Sequence, residues 1–226
     1  MVTLTGHNGQ VAPHGIVVMT LTLYGAARSR ASMVRWYLEE KAIPYVLVEL
    51  DLQAGEQRQA SFTAINPFGK VPALVDDSCT GPDGTALKLF ESGAILFHLA
   101  ERYGEEFLPT GPGAAEGAHV RRSLTAQWLL FANASLGPAM VMLDKRPEDL
   151  AHQLASLDGC LAAAPHLLAG LWGDPGWGAA DCVVQAYLAY LPLFCPQQDL
   201  SPFPAVQAAI AATQARPAYR KAIGLA

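Results

Sequence analysis

The 226-residue sequence predicts two structural units in series, an α/β unit followed by an all-helical one. Three observations carry that prediction. Strand-like and helical runs alternate up to Gly104. The Pro- and Gly-rich stretch LPTGPGAAEG then breaks the pattern. Beyond it only helical periodicity appears, with no strand-like run and no internal repeat. With 51% hydrophobic residues, the chain is long and apolar enough for two cores. The expected boundaries are a loose extension over residues 1–18, an α/β domain over 19–104, a linker over 105–113 and a helical domain over 114–226. The first 18 residues carry little pattern, and Met19 leads straight into a strand, so either Met19 is the expected functional start or the first 18 residues are a loose extension.

Thr20 to Tyr24 alternates polar and apolar residues and reads as a strand closed by Gly25. From Arg30 to Lys41, Met33, Val34, Tyr37 and Leu38 form one helical stripe, with Glu39, Glu40 and Lys41 at the exposed end. Pro44 breaks the helix, and PYVLVELDL is a second strand. Strand, helix and strand over this length make a βαβ unit with parallel strands. A polar stretch follows, with room for one helical turn. KVPALV and TALKLF are short strands around the turn residues DDSCTGPDG and read as a hairpin. Glu91 to Tyr103 is a helix ended by Gly104. The order is βαβ, then ββα.

After the linker, AHVRRSLTAQWLLFANASL is helical, and Pro138 ends or kinks it. Leu150, Leu154, Leu157 and Leu161 form a core stripe. AADCVVQAYLAYL is apolar nearly all round and is the expected buried central helix. FPAVQAAIAATQARPAY is the last helix.

Composition excludes several classes of function. Charged residues are only 15% and the formal net charge is −5 with no basic block, which argues against nucleic acid as the partner. No apolar run reaches the roughly 18 residues of a membrane span, and no basic segment precedes an apolar one at the N-terminus. The four cysteines are scattered, with no C-x-x-C and no histidine at ligand spacing, so neither a disulfide framework nor a metal site is expected. Free buried thiols fit a reducing cytosol. His98 reads as a core or boundary histidine.

Three stretches carry possible chemistry. The turn after the first strand holds Arg28, Ser29 and Arg30 at the mouth of a helix. Ser29 is a good helix cap, or the trio holds a thiolate supplied by a ligand. In GKVPALV, Pro72 cannot donate to a sheet ladder. It is an ordinary trans edge proline, or a cis one that turns the backbone of Val71 outward to pair with an extended peptide. Glu91 and Ser92 open a helix directly after a strand. They cap it, or they hold the amine and carboxylate of an α-amino acid at the helix N-terminus.

Taken in order, LYG…SRASMVRWYLEEKAIPY, NPFGKVPALVDD and LFESGAILFHLAERYG resemble the glutathione transferase superfamily. The likeness covers Thr20 to Gly104 and extends more loosely through WGDPGWGAADCVV. The first motif is most similar to bacterial types, including the cyanobacterial chi class. The resemblance implies a thioredoxin-like first domain and a helical second one. It implies that Val71 pairs with the cysteinyl unit of glutathione beside a cis Pro72, and that Glu91 and Ser92 hold the γ-glutamyl amine and carboxylate. Lys70 stands where relatives place a residue near the glycyl carboxylate, or is a solvated lysine. Phe68 stands where some relatives insert a ring into a partner subunit, or is a local core residue. A cytoplasmic homodimer is implied, with glutathione as co-substrate and a small hydrophobic electrophile as second substrate. Trp128 and Phe131 are candidates to line the electrophile's site, facing the first turn, or are core.

Such an enzyme holds the glutathione thiol as thiolate. A free thiol has a pKa of about 8.5, and each unit of lowering requires about 1.4 kcal/mol of preferential anion binding. A donor, a helix N-terminus and a cation each contribute. The turn offers the Ser29 hydroxyl, the N–H groups from Arg30 onward, and the guanidinium groups of Arg28 and Arg30. Relatives often carry a Tyr, Ser or Cys a few residues earlier, where this chain has Ala26 and Ala27. A second departure is Gly178, where the family's central helix opens with Ser or Thr. The expected function is a transferase that conjugates glutathione to electrophiles or reduces peroxides in detoxification. The competing readings are a non-catalytic binding or scaffold protein, and a glutathione-dependent isomerase or dehalogenase. A glutaredoxin-like thiol exchanger is disfavoured because the first turn has no cysteine.

Overall fold

The computed structural model describes residues 20–109, 113–171 and 176–225; the expectations for residues 1–18 and Met19 lie outside them. The chain divides into two compact units. One runs through Ile95 and is rejoined by the segment from Lys221; the other is Leu96–Arg220.

The first unit is built on four strands in the order β2-β1-β3-β4: β1 (Leu21–Gly25), β2 (Val46–Glu49), β3 (Ala73–Thr80) and β4 (Ala86–Phe90). β1 pairs parallel with β2 and antiparallel with β3, and β3 pairs antiparallel with β4. This is the expected βαβ-ββα, thioredoxin-like arrangement. Helix α1 (Ala31–Glu40) crosses between the parallel strands, and its stripe Met33, Val34, Tyr37 and Leu38 is buried. The buried face is wider than the stripe, because Trp36 is buried too and donates its indole N–H to Glu40 at 2.9 Å. Glu39 is not at an exposed end: its side chain is 14% exposed and paired with Lys221. The polar stretch before β3 holds one 3₁₀ turn (Glu56–Arg58) and the short helix α2 (Ala60–Thr63).

β3 differs from the sequence expectation. It starts after Pro72 and runs on through Asp76, Asp77, Ser78 and Cys79, residues that read as turn formers. Asp76 is buried, and its carboxylate accepts the Ser78 N–H at 2.8 Å and the Ser78 hydroxyl at 2.6 Å, beside a register shift in the β3–β4 ladder. The local hydrogen bonds let an aspartate sit in a strand it would otherwise terminate.

Helix α3 (Ser92–Arg102) follows β4, and its residues from Leu96 group with the second unit. That unit is helical: α4 (Ala114–Phe131), α5 (Gly137–Val141), α6 (Pro147–Ala163), α7 (Ala179–Phe194) and α8 (Pro204–Ala215), then α9 (Pro217–Ala222), which leads back to the first unit. Pro138 does not end the helix. A π-helical turn over Ala132–Leu136 joins α4 to α5 and places the proline in the first turn of α5, where its missing N–H costs little. On α6, Leu150, Leu154 and Leu157 are buried, while Leu161 is only half-buried. α7 is the buried central helix, as expected. The last expected helix is two, α8 and α9, divided at Arg216–Pro217 because a residue before proline avoids helical backbone.

Gly178 opens α7 with an acidic partner in place of a cap side chain. A Cβ on Gly178 would fall 2.5 Å from Glu106 Oε2. The buried Glu106 carboxylate accepts the Ala179 N–H at 3.0 and 3.1 Å, and Asp181 accepts the Gly178 N–H at 3.2 Å. Arg121, also buried, donates its Nε to the Glu106 carbonyl oxygen at 2.9 Å. The glycine leaves room for a carboxylate reaching in from elsewhere in the unit.

Candidate active site

The sheet register brings the three chemistry-bearing stretches of the first unit to one end. Ala73 pairs with Tyr24 on one side and with Phe90 on the other. Adjacent strands lie about 4.8 Å apart. The turn after Tyr24, the Val71–Pro72 bond before Ala73 and Glu91 after Phe90 therefore sit side by side on three neighbouring strands.

The first turn is made by Gly25 and Ser29. A Cβ on Gly25 would collide with that of Ala31, so only glycine lets β1 hand over so closely to α1. The Ser29 hydroxyl donates to the Ala26 carbonyl oxygen at 2.7 Å and accepts the Ala31 N–H at 3.2 Å and the Ala26 N–H at 3.4 Å. Its hydrogen is thus directed into the turn. Arg28 and Arg30 are exposed, and neither guanidinium has a hydrogen-bond or ion-pair partner among the described residues. Among those residues the backbone N–H groups of Arg28, Ser29 and Arg30 also have no acceptor. The turn therefore presents two cations and three free donors at a helix N-terminus, an arrangement suited to an anion. Tyr24, the nearest phenol in sequence, has its pKa pushed up by burial and then by Asp77, and its ring lies 6.1 Å from Phe62.

The Val71–Pro72 bond is cis, which excludes the ordinary trans proline. The loop before it is organised by Asn66. Asn66 is buried, donates its side-chain N–H to the Lys70 carbonyl oxygen at 2.6 Å and accepts the Phe68 N–H at 3.1 Å. An asparagine opening NPFG, where its side chain mimics a backbone turn, was the available signal. Lys70 is exposed. Phe68 is not core: it is 70% exposed and meets Phe90 edge-on at 5.4 Å.

Glu91 has φ +67°, in the left-handed region that a residue with a Cβ rarely occupies. Its side chain is exposed, while Ser92 beside it is 1% exposed at the first position of α3. Backbone held in this region commonly marks a ligand clamp. In the second unit, Trp128 and Phe131 are half-buried on α4, with rings edge to face at 5.7 Å.

Residues 19–101 match the family described as glutathione S-transferase, N-terminal domain. The match runs from β1 into α3, and this part of the chain is similar to that domain. The chain is 34% identical over 125 residues to glutathione S-transferase F10 of Arabidopsis thaliana, covering 55% of this chain and 53% of that one. It is 38% identical over 120 residues to the disulfide-bond oxidoreductase YfcG of Escherichia coli, covering 53% and 52%. In these matches the chain spans about half the length of the curated relatives. A Burkholderia graminis glutathione transferase solved with two glutathione molecules per subunit superposes with a TM-score of 0.73 at 26% identity, covering 90% of this chain and 87% of that one. A Pseudomonas putida glutathione transferase solved with one glutathione disulfide per subunit gives 0.72 at 26%, covering 90% of each. Among the described residues, no helix is long and apolar enough to cross a membrane.

Proposed function

We propose that this protein is a glutathione transferase of bacterial type, with a first motif like that of the chi class. It binds glutathione across the ends of β1, β3 and β4 as the thiolate. The thiolate then attacks an electrophilic carbon, forming a C–S bond as the leaving group departs, or attacks a peroxide oxygen, forming an S–O bond as the O–O bond breaks and an alkoxide leaves; a second glutathione then converts the sulfenic acid to glutathione disulfide and water. The observation that carries this reading is the turn itself, where Arg28, Arg30 and three N–H groups have no partner among the described residues, beside the Val71–Pro72 backbone and the strained Glu91. Arg28 and Arg30 supply the field that favours sulfur as the anion, and Ser29 holds the turn in shape. Val71 pairs with the cysteinyl backbone. Glu91 and Ser92 take the γ-glutamyl amine and carboxylate, and Lys70 the glycyl carboxylate. Trp128 and Phe131 line the hydrophobic electrophile's site. The exposed Phe68 supports a homodimer, and four free cysteines support a reducing cytoplasm.

Similarity to a disulfide-bond oxidoreductase favours a second reading. The bound thiolate would attack a disulfide, leaving a mixed disulfide and a released thiolate, with no cysteine of the protein taking part. A scaffold that binds glutathione without turnover is the non-catalytic alternative.

Calorimetry of glutathione binding, with thiolate absorbance followed against pH, tests these readings on wild type, Ser29→Ala, Arg28→Ala and Arg30→Ala. Binding with a thiolate pKa well below the free value is expected, and an arginine variant should move it back. Binding with an unshifted pKa favours the scaffold. Absence of binding overturns the glutathione reading. Turnover with a disulfide but not with aryl halides or peroxides selects the second reading.

A further inference from the structure

The chain's last described residues return to the first unit, and they pack behind the turn that carries Arg28, Ser29 and Arg30. We propose that the C-terminal segment from Lys221 is a strap that positions this turn, with Lys221 and Glu39 as positioning residues for the bound thiolate.

Two sets of contacts support this. The first is an anchor. Lys221 Nζ donates to Glu39 Oε2 at 2.7 Å, and the Tyr45 hydroxyl donates to Glu39 Oε1 at 2.7 Å. Arg35 Nε donates in turn to the Tyr45 oxygen at 3.2 Å. Both Glu39 oxygens are thereby held by groups from β2's approach and from the C-terminus, and the carboxylate is mostly buried. An ion pair tied into such a network is worth more than an isolated exposed one.

The second is a seat. Ala222 is fully buried and lines a narrow cavity together with Ala26, Ala27, Ala31, Ser32 and Arg35. A Cβ placed on Gly224 would lie 3.8 Å from the Ala27 Cβ, so the strap passes the turn at contact distance. Ala26 and Ala27 carry nothing beyond Cβ, and their small size admits Ala222 against the turn. The turn's hydrogen bonds to Ser29 Oγ, from the Ala26 and Ala31 N–H groups, lie against this seat.

The thiolate half of the inference rests on the glutathione reading; the turn half does not. Hydrogen exchange at the Ala26 and Ala31 amides is the readout independent of glutathione, and the pKa of the bound thiolate is the dependent one. Lys221→Met, Lys221→Arg, Glu39→Gln and a chain ending at Arg220 are compared with wild type. Lys221→Met and Glu39→Gln should speed exchange at both amides about fivefold and raise the bound-thiolate pKa. Lys221→Arg should restore both, and the truncated chain should show the larger effect. Unchanged exchange in Lys221→Met and in the truncated chain overturns the strap. Faster exchange with an unmoved thiolate pKa overturns its role in positioning sulfur. Faster exchange in a protein that binds no glutathione keeps the strap and removes the glutathione reading.

Discussion

Ser29 Oγ donates to the carbonyl oxygen of Ala26 over 2.7 Å, and so closes the turn that it sits in. The same oxygen accepts the first N–H of α1 from Ala31. A hydroxyl engaged in this way acts first as a structural clip. Ser29→Ala should therefore cost about 1 kcal/mol of stability, as loss of a helix-capping hydroxyl does, read from urea unfolding. The bound-thiolate pKa should rise less in Ser29→Ala than in the double variant Arg28→Ala/Arg30→Ala, where about one unit is expected from loss of nearby cations. The opposite order would give the sulfur to the Ser29 hydroxyl.

Glu91 should show a trade between stability and binding. Its left-handed backbone costs a residue with a Cβ about 1 kcal/mol, which glycine does not incur. Glu91→Gly and Glu91→Ala both remove the carboxylate, and both should weaken glutathione binding about tenfold or more, the loss of one charged hydrogen bond. They should differ in thermal stability, with the glycine variant the more stable by about 1 kcal/mol. Equal stabilities would mean that the strain at this junction is not borne by the residue itself.

Gly178 and Glu106 make a complementary pair. Gly178→Ser sets a side chain against the buried Glu106 carboxylate, 2.5 Å from the new Cβ, and should destabilise by about 1–3 kcal/mol. Glu106→Ala leaves the Ala179 N–H without its acceptor and should cost a similar amount. The double variant returns a capping hydroxyl to vacated space, so its loss should be smaller than the sum of the two. A double-mutant cycle in urea measures this, and simple additivity would refute the exchange of roles.

What was legible in the sequence was what depends on near neighbours. The βαβ-ββα order, the α1 stripe and the apolar α7 all follow from local periodicity, and the register then places Gly25, Pro72 and Glu91 together without further information. The misreadings share a cause. Local pattern ends β3 early because Asp76, Asp77 and Ser78 form turns in isolation, and only burial of Asp76 with its own acceptors filled keeps them in a strand. Gly178 reads only as a departure from a Ser or Thr opening, because the carboxylate that accepts the Ala179 N–H, Glu106, lies 73 residues away in sequence. Glu39 reads as part of an exposed helix end because its partner, Lys221, is 182 residues distant in sequence. The isomer of Val71–Pro72 has no local signature either: the proline announces a missing donor, not which side of the bond its ring takes.

The Glu39 anchor also sets an acid limit. Burial alone would push its pKa up, but hydrogen bonds from Lys221 and Tyr45, with the charges of Lys221 and Arg35, hold it below the usual carboxylate value. The folded state thus binds fewer protons than the unfolded one between the lowered value and the ordinary one of about 4.3. The resulting stability is fully present above the ordinary value and is lost as pH falls through the folded one. Glu39→Gln has no such dependence. The gap in unfolding free energy between wild type and Glu39→Gln should therefore stay constant from neutral pH down to about 5, shrink below that, and close once Glu39 is protonated in the folded protein. Urea midpoints taken across that range test it, and a gap that does not change with pH would show that the Lys221 pairing contributes nothing through the charge of Glu39.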